Sequence, residues 1–412
     1  MKQLYFKNFI KCLNQMFIMA LTKRERVIRT LELEEPDMIP IHYLGFEATG
    51  ISNQYFKNSD EYKKIRAGIE NEVLEMKFNV LMGTTGNMVE LRFWNSDIHG
   101  IDPWGVSKFK LNPIKAPREY PDCIILPFDG RIWKVVPQVD TGLLYLWYED
   151  GYFKTPEITH EYWDKYGKPI DHINSKLNYS PQIWESFVKK LSKYLYPMAT
   201  LPMSLHESLF EGMTVPRVAY YMRKNPKFIH EVMTEFNKVN LEIITRFAEA
   251  GVDIVFYMDD LGMKQRSIFS IEQFKEFIQP YYKQIFQACK KNGMFVLQHS
   301  CGYIDKLLPH MVDVGLNGIQ ALEPSAGVNL AYLKETLGDS VVFLGGIDSS
   351  NILNFGTTKD VEEEVKRCFN AAGHGGGYFA GPSHNILNAP WENILALRAA
   401  IEKYRKYPLN LN

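Results

Sequence analysis

Five strand–helix units follow one another between Phe228 and Tyr404, and this run restricts the possible folds more than any other feature. From Phe228 to Ala250 apolar side chains recur at Ile229, Val232, Phe236, Val239, Ile243 and Phe247, a helical stripe. Gly251 ends it, and "VDIVFYM" reads as a buried strand leading to Asp259 and Asp260. Ser270 and Gln273 form a capping box before "FKEFIQPYYKQIFQACKK", a helix expected to kink near Pro280. The cycle continues with strands "MFVLQHS", "LNGIQALEP", "VVFLGGID" and "GGYFAGPSHN", each followed by a helical pattern. Successive units of this kind need a parallel sheet. Three earlier segments, "MIPIHYLG", "FNVLMG" and "YLYPMATLP", raise the strand count to eight. Eight parallel strands most simply close into an α/β (β/α)8 barrel of the TIM type. An open doubly wound sheet is the alternative, but no GxGxxG opens any of the helices.

Residues 94–160 break the rhythm. "WNSDIHGIDPWGVSKFKLNP" and "GRIWKVVPQVDTGLLYLWYEDGYFK" read as antiparallel hairpins rich in Trp, Tyr and Gly, an insertion on one end of the barrel. It is either a lid over a site or a cap on exposed strands. The expected organisation is therefore one barrel domain over 22–405 carrying that insertion, with an extension at 1–21 and a tail at 406–412. "MKQLYFKNFIKCLNQMFIMA" has a short, broken apolar run and no small-residue cleavage site, so it reads poorly as a signal peptide. A start at Met19 fits better, with Thr22 and Glu25 capping the first helix.

Charge and cysteine usage exclude some functions. The net charge is −1 with no long basic or acidic run, which points away from nucleic acid and anionic membrane surfaces. Nor does any apolar run reach the length of a membrane span. The five cysteines are scattered without CxxC spacing, which fits a reducing cytoplasm.

Residues at the carboxyl ends of barrel strands line the site in folds of this type. Collecting them gives His42, Glu207, Tyr257, Asp259, Asp260, His299, Cys301, Glu323, Asp348 and His384. Each alone has a plain explanation. An acid after a strand is often a helix cap, a lone histidine a core residue, a lone cysteine a small hydrophobe. The capping role suits one of Asp259 and Asp260, and also Asp348. His299 and Cys301, two apart in a strand, project to the same face. With His384 they would supply two nitrogens and one sulfur, a three-ligand set of the catalytic zinc type. Glu207 or Glu323 competes for the third place.

The chain resembles the uroporphyrinogen decarboxylase superfamily from about Thr22 to Tyr404. The resemblance rests on "RERVIRTLELEEPDMIPI", "DPWGV", "DDLG", "HSCG", "LGGIDSSNIL" and "GGYFAGPSHNILNAPWENILAL". It implies a distorted (β/α)8 barrel. The decarboxylases proper carry arginines after the first strand that grip the substrate's carboxylates. Here that place reads "IHYLGFEATG", with Glu47 and no arginine. The other branch is similar to the methylcobamide:coenzyme M methyltransferases, which bind zinc through an H-x-C pair and a distant cysteine in a "PGC" segment. His299 and Cys301 match the pair, and "PSH" at 382–384 puts His384 in the third place. The resemblance implies a zinc-dependent methyltransferase working with a corrinoid supplied by a partner protein and a small thiol or related acceptor. Asp260 and Glu323 would then act in catalysis, and Tyr257, Asp259, Glu207 and Asp348 would orient the substrate. A decarboxylating lyase and a non-catalytic corrinoid-protein docking module are the alternatives.

Overall fold

The computed structural model describes residues 20–42, 45–47, 50–74, 88–102, 104, 114–137, 144–174 and 180–412. In chain order the strands are β1 (Ile98–Ile101), β2 (Ile114–Lys115), β3 (Cys123–Ile125), β4 (Arg131–Pro137), β5 (Leu144–Gly151), β6 (Tyr196–Thr200) and β7 (Ile254–Met258). A two-residue hairpin follows, β8 (Gly262–Met263) and β9 (Arg266–Ser267), then β10 (Phe295–Ser300), β11 (Gly318–Ala321), β12 (Val342–Gly345) and β13 (Tyr378–Phe379). Strands β1, β6, β7, β10, β11, β12 and β13 form one parallel sheet in that order. Its two edges meet on a two-residue segment: Ile41 bridges Ala380, and His42 bridges Ile98, both in parallel sense. The sheet is therefore curled on itself.

Strand alternation sorts the side chains into two sets. Ile98, Met198, Ile254, Phe256, Leu297, Val342, Leu344 and Phe379 pack together inside the curl. Their neighbours in sequence, such as Val255, Tyr257, Val296 and Phe343, face the surrounding helices. The helix Pro226–Glu249 buries Ile229, Val232, Phe236, Val239, Ile243 and Phe247, the stripe read from the sequence. Both capping boxes are formed, Thr22 with Glu25 and Ser270 with Gln273. The irregularity expected near Pro280 is a π-helical turn at Phe274–Ile278, whose i→i+5 bonding puts an extra residue into the turn just before a ring that lacks an N–H.

One expectation differs from the structure. Segment Ile98–Ile101, read as part of a hairpin insertion starting at residue 94, is a buried strand of the parallel sheet. Its four residues, with a glycine among them, are too short for a period-2 signal to stand out from the aromatic stretch that follows. The other earlier strand, "FNVLMG", lies outside the described residues, as do residues 1–19 and most of "DPWGV".

Strands β2 to β5 pair antiparallel in a separate four-stranded sheet. It packs on the helix His206–Met213, which begins beyond the carboxyl end of β6. The Phe153 N–H donates to Gly212 O at 2.9 Å. A Cβ on Gly151 would lie 2.3 Å from Gly212 O, and one on Gly212 2.2 Å from Asp129 O, so the contact admits no side chain at either position. At the opposite end, Asp97 precedes β1 and fastens the edge segment. Its Oδ2 accepts from the Ile41 N–H at 2.8 Å, and Arg26 and Arg405 pair with it at 2.7 and 2.9 Å. Among the described residues no helix is long and apolar enough to cross a membrane.

Candidate metal centre

The alternation that packs Ile254, Phe256 and Met258 inward in β7 carries on to Asp260, and the same parity in β10 puts Leu297, His299 and Cys301 on the inner side. His299 Nε2 lies 3.2 Å from Cys301 Sγ and 3.3 Å from Asp260 Oδ1. Among the described residues these three form the group of ligand-type atoms found within 4.8 Å of one another. The following loop is held by acids and glycines. The Cys301 N–H donates to Asp260 Oδ1 at 2.7 Å, and the Gly302 N–H to Glu323 Oε1 at 2.9 Å. Gly302 has φ +78°, and a Cβ there would lie 2.3 Å from Gly262 C. "DDLG" and "HSCG" thus end in glycine because their backbones touch.

Nδ1 of His299 hydrogen-bonds Gln320 Oε1, its partner in register on β11. An amide oxygen there accepts from Nδ1–H and leaves Nε2 as the nitrogen facing Cys301 and Asp260, the arrangement in which histidine ligates metals. Burial alone would raise the Asp260 carboxyl, but hydrogen bonding and charge from His299, with the Cys301 N–H, hold it down at about 2. Burial works against charge on His299 as well, yet Cys301 and Asp260 outweigh it and raise the imidazole. Cys301 is pushed up to about 11 by burial, with His299 pulling the other way. One imidazole, one thiol and one carboxylate are a donor set zinc accepts. Their separations of 3.2 and 3.3 Å approach a tetrahedral edge, about 3.3–3.7 Å for bonds of about 2.0–2.3 Å. The residues fit such an ion.

The remaining sequence candidates fall in different places. Asp259, next to Asp260 but of opposite parity, is fully buried. Its oxygens accept from the backbone N–H groups of Leu205, His206 and Glu207 at 3.0–3.1 Å, from Tyr282 OH at 2.8 Å and from Tyr257 OH at 3.1 Å. Asp259 and Tyr257, expected to orient substrate, hydrogen-bond the backbone at the start of the helix His206–Met213. Asp348 accepts from the N–H groups of Ser350 and Asn351 at 2.9 and 2.8 Å, a local turn cap. Glu323 supports the Cys301–Gly302 loop, as above. Burial and then the charges of Asp260 and Asp259 push the Glu207 carboxyl up to about 8, so it keeps its proton at neutral pH. The nearby Arg131 is buried and held by Asp129, Glu211, Ser204 and Ser208.

His384 is exposed and stands outside the Asp260–His299–Cys301 group. Pro382 bridges Ile347 and Ser383 is buried on Ser349, which turns the next residue outward. Asp260 stands where a third donor was expected from His384. His42 is buried inside the curl, where burial first, then His99 and His299, hold its ring neutral, at about 3. Sequence reasoning missed Gln320, although a polar residue at an inward position of an apolar strand is a readable signal. It also missed Tyr282, whose hydroxyl lies between Asp259 and Gln298.

A curled parallel sheet with an imidazole, a thiol and a carboxylate gathered beyond its carboxyl ends defines an α/β protein that carries, among its described residues, a group of metal-ligand type. The chain belongs to the uroporphyrinogen decarboxylase (URO-D) family, whose profile matches residues 105–404. A uroporphyrinogen decarboxylase of Chlorobium phaeovibrioides is 24% identical over 173 residues, 40% of this chain and 46% of that protein. The methylcobamide:CoM methyltransferase MtaA of Methanosarcina barkeri is 31% identical over 157 residues, 38% of this chain and 43% of that protein. The chain thus spans less than half the length of these curated relatives. A methyltransferase structure from Methanosarcina mazei shares the fold, with a TM-score of 0.59 at 14% identity, over 93% of this chain and 99% of that one.

Proposed function

We propose that this protein is a zinc-dependent methyltransferase on a (β/α)8-type barrel, residues 41–42 serving as the eighth strand. It moves a methyl group between a corrinoid held by a partner protein and a small thiol or related acceptor. The observation that carries this reading is the Asp260–His299–Cys301 group, with Nε2 of His299 turned toward the other two by Gln320. The similarity to a methylcobamide:CoM methyltransferase supports it. The scattered free cysteines support a cytoplasmic setting.

His299, Cys301 and Asp260 would hold the zinc, leaving a fourth position open. When bound, zinc would supply the positive charge that keeps an acceptor sulfur deprotonated at neutral pH. Gln320 fixes the imidazole tautomer, and Glu323 fixes the loop that presents Cys301. Glu207, protonated at neutral pH, offers an O–H donor beside Asp260 to orient the acceptor. The antiparallel sheet, docked on the helix that carries Glu207, serves to keep water from the site. The cobalt–carbon chemistry itself belongs to the corrinoid. A decarboxylase reading is weakened by Glu47 and the absence of arginine in segment 41–50, and by Arg131 being already paired.

The test mixes chelator-free protein with methylcobalamin and a series of small thiols, following loss of the cobalt–methyl absorbance. Wild type should demethylate the cofactor with at least one thiol, and Cys301→Ala should not. Equal rates for the two proteins would sink the proposal.

A further inference from the structure

We propose that the hairpin β8–β9 is a positioning element for Cys301, set by Gln265 at its tip, and that it holds the thiol in place before a metal arrives. That Cys301 meets a metal rests on the proposed function; the hold itself does not. Neighbouring loops take up the backbone of the segment Cys301–Tyr303 from two sides. The N–H groups of Cys301 and Gly302 go to the side chains of Asp260 and Glu323. The hairpin takes two further groups: the Gly262 N–H donates to Cys301 O at 3.1 Å, and the Tyr303 N–H donates to Met263 O at 2.9 Å. The segment therefore lies between the hairpin after β7 and the acid after β11. This approach needs a glycine in the hairpin, since a Cβ on Gly262 would lie 2.5 Å from Tyr303 N.

The hairpin is itself tied down at its tip. Gly262 pairs with Ser267 and Met263 with Arg266, which leaves Lys264 and Gln265 as the turn. Gln265 has φ +62°, a left-handed backbone that glycine adopts freely and glutamine rarely does. Its side chain is exposed, so no burial offsets that cost. In this conformation its N–H donates to Ala326 O at 2.7 Å, on the turn that follows β11. A Cβ on Gly327 would lie 3.7 Å from both Gln265 Cγ and Tyr303 Cδ2, so the tip, the turn and Tyr303 pack together. The strained residue thus closes a ring of three strand-end loops around the Cys301 backbone. Strain of this kind persists where the surroundings hold it, and such places cluster at functional sites. A ligand whose backbone is already fixed has less freedom to lose when the metal binds.

Gln265→Pro removes the N–H and forbids the left-handed backbone, at an exposed tip. Gln265→Gly keeps both. Two readings test the hold. In metal-free protein, hydrogen exchange should be slow at the Gly302 and Tyr303 amides of wild type and of Gln265→Gly, and at least tenfold faster in Gln265→Pro. In a cobalt(II) titration, Gln265→Pro should bind roughly tenfold or more weakly, the scale of losing outer support of a metal ligand, with its melting temperature unchanged. Its near-ultraviolet sulfur-to-cobalt band should weaken or shift, which a merely structural tip would not cause. Gln265→Val, which keeps the N–H but strains the left-handed backbone further, replaces the proline variant if that fails to fold. Fast exchange at these amides in wild type would overturn the inference, as would cobalt affinity and band unchanged in the proline or valine variant. Wild-type protein that binds neither cobalt nor zinc would instead bring down the proposed function, with the hold still decided by exchange.

Discussion

Asp259→Ala separates a structural anchor from a substrate contact. Five donors converge on this fully buried carboxylate: three backbone N–H groups at residues 205–207 and the hydroxyls of Tyr257 and Tyr282. Hydrogen bonds to a charged group contribute roughly 1.5–3 kcal/mol each, and the donors left behind would be buried without partners. Entry of water and shared geometry keep the total below a simple sum, so the expected loss is on the order of 5 kcal/mol. Unfolding entropies of roughly 2 cal/mol/K per residue make each kcal/mol about one degree in a chain of 412 residues. The melting temperature of ligand-free protein should therefore fall by about 5 °C. Asp259→Asn, which keeps one acceptor oxygen, should fall by less. The assay is differential scanning fluorimetry, with the urea midpoint as a second reading. A substrate-contact role would leave the ligand-free protein unchanged and raise KM. An Asp259→Ala protein that melts within about one degree of wild type would refute the anchor.

Three further outcomes are expected. Asp260→Asn should weaken zinc binding by orders of magnitude while His384→Ala leaves zinc occupancy intact; the opposite pattern in metal analysis would return the third ligand place to His384. Because burial pushes the Cys301 thiol up to about 11, zinc must displace its proton at neutral pH, so apparent affinity should rise with pH, about tenfold per unit for each proton released. Calorimetry in buffers of different ionisation enthalpy reads that release, and a pH-independent affinity would contradict it. The Glu207 carboxyl, at about 8 in the folded protein against 4.5 for an ordinary glutamate, retains a proton that the unfolded chain gives up between those values. Stability should accordingly decline as pH rises through that window. Glu207→Gln should flatten the decline in urea midpoints, and an unchanged slope would show that other groups cause it.

The helices and most strands of the second half were legible because long amphipathic stripes and apolar runs repeat there with caps between them. The first half was harder for physical reasons. Its closing segment is reduced to the bridges at Ile41 and His42, and Ile98–Ile101 is four residues long. At the site, the i, i+2 spacing of His299 and Cys301 was enough to place both on one face. The adjacent acids were readable in principle but were not separated: counting parity from Ile254 sends Asp260 inward and Asp259 toward the helices. The five-donor environment of Asp259 was not readable, since its partners come from residues 205–207 and Tyr282, brought together only by the fold. Nor was the outward turn of His384, which depends on how Pro382 and Ser383 pack against β12 and the loop after it.

X-ray absorption at the zinc edge of wild-type protein, purified without chelator, tests the central claim most directly. The account predicts one zinc per chain, with one sulfur ligand from Cys301 and the remaining ligands nitrogen or oxygen. Protein without zinc, or a zinc shell that keeps its sulfur in Cys301→Ala, would contradict it.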